Sequence, residues 1–156
     1  MSCHRPLFIT NPYNNYIRLK QIEQLIQAKK SFLCIGLDSD INKIPKAFKR
    51  YKNPVLEFNK AVIEATHDLC ISYKINTAFY ESQGVEGWEN LEKTVQAIPS
   101  NIFTIADAKR GDIGNTALQY AKAFFDRLPF DALTVNPMMG MDTVEPFLSY
   151  EDKTII

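Results

Sequence analysis

The feature that most restricts the folds open to this chain is its alternation of short apolar runs with longer amphipathic ones. Phe32-Leu33-Cys34-Ile35-Gly36-Leu37-Asp38, Cys70 to Ile75, Asn101 to Asp107 and Asp131 to Asn136 each read as a buried strand. Helical spacing predicts a helix over Ile17 to Lys30, with Ile22, Leu25 and Ile26 on one face. A second helix starts at Asn53-Pro54, with Asn as cap and Pro at the first helical position. It runs to about Leu69 and presents Leu56, Val62, Ile63 and Leu69 to a core. A third carries Trp88, Leu91 and Val95, and a fourth, Asn115 to Leu128, carries Leu118, Ala121, Phe124 and Phe125. A short helix near Asp142 to Leu148 follows Gly140, and Lys153 to Ile156 opens a fifth strand. Residues 1–16, with their prolines and asparagines, are expected to form an irregular extension, and residues 17–156 the domain.

Strands separated by helices imply parallel pairing, since a parallel neighbour needs a long crossover. An open doubly wound sheet and a TIM (β/α)8 barrel both satisfy that. Polar residues at the carboxyl ends of the first three strands suit either. No G-x-G-x-x-G or P-loop follows the first strand, which favours the barrel. A full barrel needs about 200 residues or more. The 156 residues supply roughly the first four to five βα units, so a fragment of a longer protein is expected.

Charge narrows the partners. Eighteen Lys and Arg balance eighteen Asp and Glu without blocks of either sign, which argues against general affinity for nucleic acid or an anionic membrane. Lys43 to Lys52 is broken by Pro45, Phe48 and Tyr51 and reads as a solvated face. No run approaches eighteen apolar residues, and Leu7-Phe8-Ile9-Thr10 is too short for the apolar region of a secretory signal. Three cysteines without motif spacing point to a reducing, cytoplasmic setting, with Cys34 and Cys70 as buried thiols and Cys3 near the terminus. His4 and His67 have no ligand partner at helical spacing, so no metal site is expected. Trp88, Phe124 and Phe125 read as core, and Gly84 and Gly87 bracket a loop without a phosphate motif.

Chemistry concentrates in Asp107-x-Lys109-x-x-Asp112. On an extended strand end, residues two apart point to one face. Gly111 then permits a sharp turn, and Asp112 falls one loop further out, within reach of a neighbouring subunit. Lys74 ends the preceding strand and can reach the same place. By spacing alone, a surface salt-bridge cluster fits as well as a site.

The run Asp107-Ala108-Lys109-Arg110-Gly111-Asp112-Ile113-Gly114-Asn115-Thr116 resembles the signature of the orotidine 5′-phosphate decarboxylases, in the bacterial branch that reads D-A-K-R-G-D-I-G. The first strand through Asp38, Lys74 with Ala78-Phe79-Tyr80-Glu81, and Asn136-Pro137 with Gly140 and Asp142 are similar to that branch as well. The likeness covers about residues 18 to 156. It implies a barrel that converts orotidine 5′-monophosphate to UMP and CO2 without metal or organic cofactor, as a homodimer. It further implies that Lys109 protonates C6 of the pyrimidine and that Lys74 and Asp107 come from the same subunit. Asp112 and Thr116 would come from the other subunit, and Asp38 would hold the ribose hydroxyls. The family's phosphate grip follows the seventh and eighth strands, so the fragment alone is expected to be inactive.

Two rivals share residues with this reading. Sister sugar-phosphate decarboxylases and aldol-type synthases share Asp-x-Lys-x-x-Asp but use Mg²⁺, and the continuation from Arg110 to Thr116 favours the nucleotide enzyme. Arg110-Gly111-Asp112 also spells an adhesion tripeptide, which would need an exposed secreted loop.

Overall fold

The computed structural model describes residues 12–156, with side chains from Lys20 onward; Cys3, His4 and the expected extension through Asn11 lie outside the described residues. Helix α1 spans Pro12–Lys29, five residues earlier than helical spacing predicts. A proline at the first helical turn costs nothing, because its missing N–H would have no partner there.

The remaining elements alternate as expected: β1 (Cys34–Gly36), α2 (Pro54–Thr66), β2 (Ser72–Asn76), α3 (Ala78–Glu81), α4 (Gly84–Ala97), β3 (Phe103–Arg110), α5 (Gly114–Ala121), β4 (Ala132–Val135), α6 (Glu145–Leu148) and β5 (Thr154–Ile155). A 3₁₀ turn, Lys46–Arg50, precedes α2. Helix α5 runs on as a π-helical stretch, Lys122–Arg127, that buries Phe124 and Phe125. The five strands are all parallel and lie in the order β1-β2-β3-β4-β5. A doubly wound sheet reverses its order at a switch point. This one does not reverse.

Register fixes the two faces of the sheet. Cys34 pairs with Ser72, Lys74 with Ile105, Asn76 with Asp107, Ile105 with Ala132, and Ala132 with Thr154. Partners in register share a face. One face therefore carries Ile35, Tyr73, Ile75, Ala106, Leu133, Val135 and Ile155, all packed in the core beneath the helices. The opposite face carries Gly36, Lys74, Asn76, Asp107 and Thr134. The first face forms the core with residues of α2, α4 and α5, as in a barrel whose second face is its interior.

This arrangement corrects several expectations. Cys34 lies on the uncovered face and is exposed, whereas Cys70 is buried. Helix α2 ends at Thr66, whose hydroxyl bonds back to the Val62 carbonyl (2.6 Å), so Leu69 falls in the following turn and is exposed. Asn53 precedes α2 without a side-chain capping bond. Trp88 is 39% exposed and only edges the core, its ring 6.4 Å from that of Phe124. Gly84 and Gly87 lie within α4, not in a loop. A Cβ on Gly87 would stand 1.8 Å from the Tyr80 carbonyl oxygen, so that contact between α3 and α4 requires glycine.

Candidate active site

Four charged residues converge at the carboxyl ends of β1, β2 and β3. Asp38 follows β1, Lys74 lies on β2, and Asp107 and Lys109 lie on β3. Lys74 Nζ is 3.1 Å from Asp107 Oδ2 and 3.4 Å from Asp38 Oδ2. Lys109 Nζ donates to the other Asp107 oxygen, Oδ1. Asp38 Oδ1 accepts from the Asn76 amide at 3.0 Å, which ties the end of β1 to the end of β2. Carboxylates and ammonium groups thus alternate across the mouth: Asp38, Lys74, Asp107, Lys109.

Asp107 is the most enclosed of the four, with a side chain 13% exposed. Burial pushes its carboxyl up, but hydrogen bonds from Lys109 and Lys74, with their charges, outweigh that and hold its pKa below the ordinary 3.8. Burial acts to lower the Lys74 pKa. The bond to Asp107 and the charges of Asp38 and Asp107 overcome it and hold Lys74 above the ordinary 10.5. Both groups are ionised at neutral pH.

The strand end is not the regular extended segment that spacing assumes. Ala106 pairs with Leu133 but Arg110 with Val135, a bulge in β3. Lys109 has φ +48°, in the left-handed region. The bulge, and not simple alternation, brings Lys109 back onto Asp107. Gly111 contributes close approach and not a left-handed turn: a Cβ there would lie 2.8 Å from the Asn136 carbonyl oxygen.

Arg110 turns to the other side. Its guanidinium pairs with Glu81 of α3 and stacks 5.1 Å from the Tyr120 ring and 5.2 Å from the Phe124 ring. An arginine held this way is not available to an adhesion receptor. Asp112 accepts from the Ile113 amide at 2.8 Å. Among the described residues, no hydrogen bond or ion pair joins the Asp112 or Thr116 side chains to the four-residue cluster.

A family model described as orotidine 5′-phosphate decarboxylase / HUMPS family matches residues 31–154. The chain belongs to this family. It is 57% identical over 140 residues to an orotidine 5′-phosphate decarboxylase of Flavobacterium johnsoniae, an alignment covering 88% of this chain and 51% of that protein. An orotidine 5′-phosphate decarboxylase of Phocaeicola vulgatus is 56% identical over the same length and is covered to 52%. Among solved structures, the OMP decarboxylase of Leishmania donovani superposes with a TM-score of 0.76 at 38% identity, covering 88% of this chain and 51% of that one. The chain therefore spans about half the length of the relatives it matches, and its sheet is part of a (β/α)8 barrel. All six residues singled out from the sequence lie within the family match.

Sequence reasoning missed Thr134, on β4. Its hydroxyl accepts from the Lys109 amide (2.9 Å) and donates to Asp107 Oδ1 (3.2 Å). It missed a buried hub as well. Asn59 accepts from Ser39 Oγ (2.6 Å) and donates to Tyr80 Oη (2.8 Å) and Thr94 Oγ1 (3.0 Å), while Tyr80 donates to the Leu37 carbonyl (2.8 Å). Leu37 and Ser39 flank Asp38, so this hub holds the backbone on both sides of it. A buried asparagine in a helical pattern was the available signal.

Proposed function

We propose that this chain carries the catalytic lysines and aspartates of an orotidine 5′-phosphate decarboxylase, which converts orotidine 5′-monophosphate to UMP and CO2 in pyrimidine biosynthesis. The observation that carries the reading is the contact of Lys74 and Lys109 with opposite oxygens of Asp107 at the barrel mouth. In the reaction the bond from C6 to the carboxyl carbon breaks and its electron pair stays on C6. The pyrimidine ring does not delocalise that pair, so stabilisation must come from fixed charge. Lys109 supplies it and then transfers an ammonium proton to C6. Solvent returns the proton to the amine.

Magnitudes limit what one lysine does. Unit charges about 4 Å apart at an effective dielectric of 20 interact by about 4 kcal/mol, roughly three powers of ten in rate. The rest must come from binding and orientation. Asp107, with Asp112 of the second subunit, holds the lysines in orientation, and Asp38 takes the ribose hydroxyls. No metal or organic cofactor takes part. EDTA insensitivity separates this reading from that of the Mg²⁺-dependent sister enzymes.

The site is completed by a second subunit of a homodimer, which donates Asp112 and Thr116. Exposed Ile113, Met138, Met139 and Met141 on the loops after β3 and β4 support that reading, because apolar side chains at a rim suit an interface. The reaction takes place in the cytoplasm, where the Cys70 thiol stays reduced. The family's phosphate grip follows strands beyond the five present, so the 156-residue chain alone turns over poorly.

Co-expression with the carboxyl-terminal half of the Flavobacterium johnsoniae relative tests the proposal, with decarboxylation of orotidine 5′-monophosphate as the readout. Turnover is expected only with both halves and is lost in Lys109→Ala. Near-normal decarboxylation by Lys109→Ala would rule out the role assigned to that lysine. Equal turnover by the isolated chain would overturn its predicted dependence on the second half.

A further inference from the structure

Thr134 faces the bulge in β3. Between the pairs Ala106–Leu133 and Arg110–Val135, Asp107, Ala108 and Lys109 on β3 stand opposite Thr134 alone on β4. A bulge leaves backbone groups without ladder partners, and something else must take them up. Here the Lys109 N–H goes to the Thr134 hydroxyl at 2.9 Å. That bond lies at the residue whose φ of +48° L side chains rarely adopt, so it helps hold an otherwise disfavoured conformation.

The same hydroxyl reaches the carboxylate. Thr134 Oγ1 is 3.2 Å from Asp107 Oδ1, the oxygen that also accepts from Lys109 Nζ. The polarity is forced by valence. A backbone amide only donates and an ionised carboxylate only accepts, so the single hydroxyl proton points to Asp107 while a lone pair receives Lys109 N–H. One side chain thus grips the backbone of the lysine and the carboxylate to which that lysine's ammonium group is bound.

We propose that Thr134 is a positioning residue that locks the β3 bulge and so sets the aim of the Lys109 ammonium group at Asp107. Thr134 acts through those two residues and need not touch substrate. The catalytic consequence rests on the decarboxylase reading above; the geometric lock does not.

Thr134→Val keeps the branched shape and removes both bonds, and Thr134→Ser keeps the hydroxyl. NMR amide exchange and carboxyl titration on the full 156-residue chain read the lock directly. In T134V the Lys109 amide is expected to exchange about tenfold faster or more, while the Ile75 and Ala106 amides keep their rates. The Asp107 titration midpoint is expected to rise by about half to one pH unit, since a bond to the charged form is lost. T134S is expected to match the parent in both. Unchanged Lys109 exchange and Asp107 titration in T134V would overturn the proposal, and so would loss of both in T134S. Should T134V not fold, T134S decides alone: parental values support the lock and lost protection defeats it. In a decarboxylating assembly, T134V lowers kcat about tenfold with KM nearly unchanged. A raised KM with intact kcat would count against positioning. The NMR arm reads no turnover, so failure of the decarboxylase reading and failure of the lock are distinguishable.

Discussion

Lys74 Nζ lies 3.1 Å from Asp107 Oδ2, bridging the carboxyl ends of β2 and β3. Each holds the other in its charged form, which links the site to folding. Lys74 titrates above its ordinary 10.5 when folded, so its contribution to stability is complete below 10.5 and is lost as pH rises through the folded value. Asp107 titrates below its ordinary 3.8, so its contribution is complete above 3.8 and is lost as pH falls through the folded value. The urea midpoint is expected to be flat near neutrality and to drop at both extremes. Asp107→Asn should remove part of each drop. An unaltered pH profile in that variant would show that the pair is not coupled to folding.

The Asn59 hub should dominate stability around Asp38. Asn59→Leu removes one partner each from Ser39, Tyr80 and Thr94; Tyr80 keeps its bond to the Leu37 carbonyl, and each buried bond left unmade costs about 1–3 kcal/mol before relaxation. A net loss of about 3 kcal/mol is expected by urea unfolding. Tyr80→Phe removes the hydroxyl that spans Asn59 and the Leu37 carbonyl and should cost about 1 kcal/mol. A larger loss in Tyr80→Phe than in Asn59→Leu would place the centre of the network on the tyrosine.

Gly87 is set by the α3–α4 contact. A methyl group there meets the Tyr80 carbonyl carbon at 2.7 Å and its oxygen at 1.8 Å, both backbone atoms that cannot rotate away. Gly87→Ala gains helix propensity of about 1 kcal/mol but must push α3 and α4 apart. We expect net destabilisation of about 2 kcal/mol in thermal unfolding. A stabilised variant would mean that α3 is free to shift.

Arg110 combines an ion pair with two aromatic faces. Lysine in its place keeps the charge but loses the planar group that stacks between Tyr120 and Phe124. Arg110→Lys should cost about 1–2 kcal/mol. A double-mutant cycle with Glu81→Gln should report coupling of about 1 kcal/mol between Arg110 and Glu81. Zero coupling would reduce Arg110 to a packing residue.

Much of this protein is local and therefore legible in the chain. Each strand and helix is a run whose periodicity needs no partner to be seen, which is why β1 to β5 overlap the apolar runs, although β1 keeps only Cys34–Gly36 of its run and leaves Phe32 and Leu33 exposed. The run from Asp107 to Thr116 is equally local, and it carries the family likeness. The convergence of Asp38, Lys74, Asp107 and Lys109 follows from parallel strands ending at one edge. Tertiary structure decided what depends on register between distant segments. The pairing of Cys34 with Ser72 sets Cys34 on the uncovered face, which the Cys34 neighbours cannot reveal. The bulge opposite Thr134 exists only because β4 pairs on either side of it, and the left-handed turn of Lys109 follows from that pairing. Asn59 finds Ser39, Tyr80 and Thr94 at separations of 20 to 35 residues, distances over which no sequence period extends. Sequence specified the elements and the charged groups; pairing across the sheet decided how they are aimed.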